Sequence, residues 1–130
     1  MLNPKKVMIV DDEPDIVTAI ELALKRSGYR ADGFTDPEKA VEEFRNNSRE
    51  YALVISDIRM PSMSGFELAR NIKRIRPDVP LVIMSAFEIH KREFSSLFPS
   101  ISVAELVTKP FRDPLLISIV RKYIGITKQQ

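Results

Sequence analysis

The sequence predicts an α/β protein: a doubly wound sheet of five parallel strands with five helices. Three observations carry this. Short apolar runs without polar alternation, as in KVMIV, ALVIS and LVIM, are those of strands covered on both faces. Between them lie stretches with apolar residues at helical spacing. Turn and cap residues (Pro, Gly, Asp, Ser) separate the two kinds of segment at short intervals. Alternation of this kind implies a parallel sheet with helices on both faces.

The elements follow in order. Lys6 to Val10 is the first buried strand. Glu13 to Lys25 is a helix, with Pro14 in its first turn, Ile16, Ile20 and Ala23/Leu24 on one face, and Gly28 after its end. Arg30 to Phe34 is a shorter, less apolar strand. Asp36 caps a helix with Pro37 at its first position, running to about Phe44. Ala52 to Ser56 is the second strongly buried strand. Ser64 or Gly65 opens a helix that buries Phe66, Ala69, Ile72 and Ile75 and stops near Pro77. Leu81 to Met84 is a third buried strand, entered through Pro80. Glu88 to Leu97 is a poorly patterned helix ended by Pro99. Val103 to Val107 is the last strand, and Asp113 and Pro114 cap a final helix to about Ile124, closed by Gly125.

The 130 residues fit one domain, 1–130, with a core of about 5–125 and a polar tail, ITKQQ, over 126–130. Hydrophobic content of 44% and charged content of 29% are those of a globular protein, and repeats are absent. The net charge of +2 arises from 20 basic and 18 acidic residues without a dense basic run, so no direct nucleic-acid binding is expected. The absence of cysteine removes thiol chemistry and suits a reducing compartment. The opening MLNPKKVMIV reads as neither a signal peptide nor a membrane span, and the expected location is the cytoplasm.

In an open parallel sheet, sites gather beyond the carboxyl ends of the strands where strand order reverses. The first strand ends in Asp11 and Asp12 with Glu13 next, the third in Asp57, the fourth in Ser85, and the fifth in Thr108-Lys109-Pro110. Taken singly, Asp12 reads as a helix cap, Asp57 as a turn residue, Ser85 as a satisfied hydroxyl and Lys109 as an exposed cation. Their convergence on one sheet edge changes the reading. Clustered carboxylates need a cation, and hard oxygen donors with open positions suit Mg2+. A carboxylate attacks an anionic phosphoryl donor only when that charge is neutralised, here by Mg2+ and a lysine, with a hydroxyl to hold a transferred oxygen. Carboxylates also form covalent aspartyl phosphates. The set reads as a site that accepts a phosphoryl group on an aspartate.

The stretches VMIVDDEPDI, SDIRMPSMSGFEL, VIMSAF and VTKPF, in this order and spacing, resemble receiver domains of two-component response regulators. The resemblance spans nearly the whole chain and implies a flavodoxin-like strand order of 2-1-3-4-5. It implies Asp57 as phosphoacceptor, Asp12 as direct Mg2+ ligand and Asp11 as a close, water-mediated supporter. It further implies the backbone carbonyl of Arg59 as a ligand, Ser85 as the hydroxyl that moves onto the phosphoryl group, and Lys109 as the partner of Asp57 and then of its phosphate. A cis peptide between Lys109 and Pro110 is implied too, and Mn2+ can stand in for Mg2+. The implied donor is a sensor histidine kinase or phosphotransfer protein. The output partner is unnamed and would meet the 88–125 face, and a homodimer is left open. The chain catalyses no reaction beyond its own phosphorylation and dephosphorylation. It reads equally as a stand-alone switch or as a piece of a longer regulator.

Three features depart from the pattern or extend it. Leu106 stands where many receivers carry Tyr or Phe. FEIHKREFSSLFPSISVAEL, between Ser85 and Lys109, is longer than usual, and its Phe94, Leu97, Phe98 and Ile101 are read first as local core, second as an exposed partner or dimer surface. The Arg59 side chain, two residues past the acceptor, is expected to shield the phosphoryl group from water, whereas His90, the only histidine, is an ordinary surface residue. Two competing functions are a pseudo-receiver that binds partners without phosphorylation and a phosphatase of the haloacid dehalogenase type. The latter needs a second aspartate at position 59, where Arg59 stands.

Overall fold

The computed structural model describes residues 6–58, 60, 63–86, 91–97, 99 and 101–125, with the side chains of residues 91 and 97 left out. Five strands are present: β1 (Lys6–Val10), β2 (Arg30–Phe34), β3 (Tyr51–Asp57), β4 (Leu81–Ser85) and β5 (Glu105–Thr108). The helices are α1 (Pro14–Arg26), α2 (Pro37–Asn47), α3 (Gly65–Ile75), α4 (Lys91–Leu97) and α5 (Asp113–Ile124), with a short 3-10 turn at Ser48–Glu50. The strands form one sheet in the order β2-β1-β3-β4-β5, and every adjacent pair is parallel. Fold class, strand order and helix number agree with the sequence expectation.

The unalternating strands are explained by two apolar layers. Met8, Val10 and Val54 face a layer with Val41 and Phe44 of α2, Leu68 and Ile72 of α3, and Phe94 of α4. Val7, Ile9, Leu53 and Ile55 face the opposite layer, built with Val17, Ile20 and Leu24 of α1 and Leu116, Ile119 and Val120 of α5. Successive residues of β1 and β3 therefore point into different cores, and both sets must be apolar.

Caps behave largely as the sequence indicates. Asp36 accepts a hydrogen bond from the Glu38 N–H at 2.9 Å with Pro37 at the first helical position, and Ser64 accepts from the Glu67 N–H at 3.2 Å. Asp113 does not cap α5. The N-cap position is Arg112, without a side-chain bond, and Asp113 lies within the first turn, where its charge favours the helix N-terminus. Residues 88–90, the expected start of the fourth helix, lie outside the described residues, and α4 is described over Lys91–Leu97.

The fifth strand is shifted relative to expectation. Val103 is buried in the core, but pairing with β4 runs from Glu105, opposite Val82, to Thr108, opposite Ser85. Apolarity reports burial rather than hydrogen-bonded pairing, and Val103 is buried without being in the strand. Phe94 and Ile101 are 1% and 4% exposed, so both belong to the core and neither contributes to a partner surface. Phe98 and the side chain of Leu97 lie outside the described residues, as does His90. Leu106 is half-buried against the layer that contains Phe94.

The end of the sheet away from the strand-end aspartates is tied by a polar network. Lys6 bridges Asp32 at 2.8 Å and Glu50 at 3.0 Å, and the Tyr51 hydroxyl contacts carboxylate oxygens of Asp32 and Glu43, each at 2.8 Å. Burial pushes the Asp32 carboxyl up, but the hydrogen bonds from Lys6 and Tyr51 outweigh it and hold it below its ordinary value of 3.8. A lowered folded-state pKa means that stability is gained above the unfolded value and lost as pH falls through the folded one. Asp32→Asn is therefore expected to lower the urea midpoint at pH 7, with the gap to the wild type closing below about pH 4. Equal gaps at both pH values would deny Asp32 this role.

Candidate functional site

All the sequence-selected residues that are described lie at the carboxyl edge of the sheet. Asp11 and Asp12 follow β1, Asp57 is the last residue of β3, Ser85 is the last of β4, and Lys109 follows β5. Backbone bonds fix these ends to one another. The Asp11 N–H donates to Phe34 O at 3.1 Å, Ile58 N–H to Met84 O at 3.0 Å, and Lys109 N–H to Ser85 O at 2.7 Å. The strand order places β1 and β3 side by side at the centre, where the chain changes direction across the sheet.

Asp11, Asp57 and Ser85 are buried (0%, 7% and 3% exposed), whereas Asp12 is half-buried. Asp11, Asp12 and Asp57 each offer a carboxylate oxygen within 4.8 Å of the others. Among the described residues this is the single acidic grouping with metal-holding geometry. Lys109 Nζ reaches Asp11 Oδ2 at 2.7 Å and Asp57 Oδ1 at 3.1 Å. The expected Lys109–Asp57 pair is thus present, but Lys109 lies closer to Asp11. The other Asp11 oxygen, Oδ1, accepts the Glu13 N–H at 3.0 Å. The Lys109–Pro110 peptide is cis.

The electrostatics follow from burial and crowding. Desolvation pushes the Asp57 carboxyl above its ordinary value; Lys109 opposes this, and the Asp11 charge adds to it. For Lys109, burial alone would lower the pKa, but hydrogen bonds to Asp11 and Asp57 outweigh it and raise the ammonium above its usual range. Three carboxylates against one ammonium leave a deficit of two positive charges. Oxygen donors, a deficit of two and an opening at Asp12 match the chemistry of Mg2+.

The cleft over this cluster holds about 210 Å3 and is lined by Asp12, Glu13, Asp57, Ile58, Ala86 and Lys109. Glu13 was noted in the sequence beside the aspartate pair but given no role, and Ala86 was not singled out. Ala86 carries no chemistry and gave no signal. Arg59 lies outside the described residues, so its expected carbonyl and side-chain roles have no geometry here. Gly65 lies directly under the end of β3. A Cβ there would fall 2.5 Å from Asp57 O and 2.6 Å from Ile58 Cα, and its N–H donates to Ile58 O at 2.8 Å.

Comparison with known proteins is decisive on family. The response regulator receiver domain model matches residues 7–121. The chain belongs to the response regulator receiver family. It is 30% identical over 115 residues to the regulatory protein VanRB of Enterococcus faecalis, covering 88% of this chain and 50% of VanRB. To the response regulator receiver protein CpdR of Brucella abortus it is 28% identical, covering 92% of this chain and 97% of CpdR. The receiver thus spans half the length of VanRB and nearly all of CpdR. Among solved structures, the response regulator TrrA of Thermotoga maritima, in complex with Mg2+ and a beryllium fluoride, aligns with a TM-score of 0.79 at 32% identity, covering 92% of this chain and 99% of TrrA. No described helix is long and apolar enough to cross a membrane.

Proposed function

We propose that this receiver is a phosphorylation-controlled switch, a single domain occupying residues 1–130, that takes a phosphoryl group from a cytoplasmic histidine kinase or phosphotransfer protein onto Asp57. The observation that carries the reading is the meeting of Asp57 with two further carboxylates and with Lys109 at 3.1 Å, on one edge of the sheet. A strand-end aspartate in a plain turn needs neither a buried lysine nor two carboxylates beside it.

In the transfer, an Asp57 oxygen attacks the phosphorus of a phosphohistidine. An O–P bond forms, the N–P bond breaks, and its electron pair returns to the imidazole, which takes up a proton. Lys109 meets the charge of the arriving phosphoryl oxygens, and the Ser85 hydroxyl donates to one of them. Asp12 and Asp57 would ligate Mg2+ directly, with Asp11 supporting and the Arg59 carbonyl completing the protein's share; Mn2+ has matching donor preferences. When bound, the ion neutralises phosphoryl charge and makes carboxylate attack feasible. The added charge then shifts a pre-existing equilibrium between two conformations, read out on the 88–125 face. The Mg2+ and beryllium fluoride held by TrrA support this reading by analogy.

Amide NMR during successive addition of Mg2+ and beryllium fluoride tests it. Mg2+ is expected to shift signals of Asp12 and Asp57, and the fluoride to shift those of Ser85 and Lys109. Spectra unchanged by both additions would leave a receiver that binds partners without phosphoryl control.

A further inference from the structure

We infer that the apolar pocket between the N-terminal halves of α1 and α5 is a binding site for a small organic cation, a protonated amine carried on an aliphatic or aromatic body. The pocket holds about 280 Å3, the low end of the range for small-ligand sites. Ile16, Ala19 and Ile20 of α1 form one wall, and Pro110, Phe111 and Leu116 form the other. Ile20 and Leu116 belong to the core beneath it, whereas Ile16 and Phe111 are only partly covered. Apolar surface in such a recess gains by meeting an apolar body rather than water.

Charge selects the occupant. Asp15 and Asp113 line the same pocket and are exposed. Among the described residues neither is ion-paired. Each stands in the first turn of its helix, where the helix dipole contributes roughly half a positive charge. Two carboxylates against two such half charges leave roughly one negative charge, which a single ammonium matches. Lys109 is the only other charged residue of the lining, and its ammonium is met by Asp11 at 2.7 Å and Asp57 at 3.1 Å. An ammonium on exposed carboxylates gains little by itself, so the apolar walls must supply the rest. A bare cation lacks the body to fill the pocket, and an apolar anion meets the wrong sign.

Amide NMR of the full chain, titrated in turn with phenethylamine, 2-phenylethanol and phenylacetate, tests this with one ring and three charges. Phenethylamine is expected to shift the Ala19, Phe111 and Leu116 amides saturably in the millimolar range. It is expected to bind at least threefold more tightly than the alcohol, with phenylacetate weakest and the preference shrinking as salt rises. Asp113→Asn is expected to reduce amine binding and leave the alcohol unchanged. Ala19→Leu, which places a larger side chain within the pocket, is expected to abolish binding of both. Equal binding of the three compounds overturns the choice of a cation. Absence of saturable shifts at these amides, or shifts confined to Asp12 and Asp57, overturns the site. Unaltered binding by Ala19→Leu does the same, and should that variant fail to fold, Asp113→Asn decides. Shifts of the same amides on concentrating the protein alone would assign the pocket to a second copy of the chain and overturn the inference.

Discussion

Replacing Gly65 with alanine is expected to lower stability by about 1–3 kcal/mol and to reduce phosphoryl capture at Asp57 at least tenfold. The reason is space rather than backbone freedom, since Gly65 is an ordinary helical residue at the start of α3. An added Cβ would meet Asp57 O at 2.5 Å and Ile58 Cα at 2.6 Å. Both are backbone atoms of the segment that presents the Asp57 carboxylate. They cannot yield as a side-chain tip would, so the start of α3 and the end of β3 must separate. The Gly65 N–H to Ile58 O bond at 2.8 Å would be stretched with them. Urea unfolding reads the first effect and intact mass after phosphodonor treatment the second. Wild-type values for both would mean that the β3–α3 junction has slack that the geometry denies.

Phe94→Ala is expected to cost about 3–5 kcal/mol, as for a large aromatic removed from a closed core. Phe94 is 1% exposed, and its ring lies 5.5 Å from that of Phe66, a tilted aromatic pair joining α4 to α3. α4 is described over Lys91–Leu97, and Phe94 is its buried anchor to the core. The half-buried Phe66 should cost less when truncated. A urea midpoint shift corresponding to less than about 1 kcal/mol for Phe94→Ala would show that α4 is held by other contacts.

These two positions also illustrate how much was legible in the sequence. Gly65 was visible in the sequence as a start of the third helix, yet the atoms it must avoid belong to a strand end that only the fold brings beneath it. Phe94 was visible as apolar, and burial against α3 decided between core and surface. The three strongest strands were legible because coverage on both faces demands unbroken apolar runs. β5 was misplaced by two residues at its start because Val103 is buried without pairing, a distinction that composition does not carry. Asp113 was read as a cap because Asp-Pro so often begins a helix, but the chain enters α5 one residue earlier.

The candidate site was legible for a different reason. Asp11, Asp12, Asp57, Ser85 and Lys109 are residue types with chemistry, standing at strand ends that a parallel sheet must bring to one edge. What the linear order did not reveal is the division of contacts within the cluster. Lys109 lies nearer Asp11 than Asp57, because the fully buried Asp11 needs a compensating charge while Asp57 faces the cleft.

The central claim, that Asp57 accepts a phosphoryl group with the help of a divalent ion, is tested most directly by intact-mass measurement after incubation with a small phosphodonor. Wild type and Asp57→Asn would be compared with and without Mg2+. The expected result is the gain of one phosphoryl group by the wild type with Mg2+, lost when either the ion or the Asp57 carboxylate is removed. An unmodified wild type in the presence of Mg2+, or equal modification of Asp57→Asn, would contradict the claim.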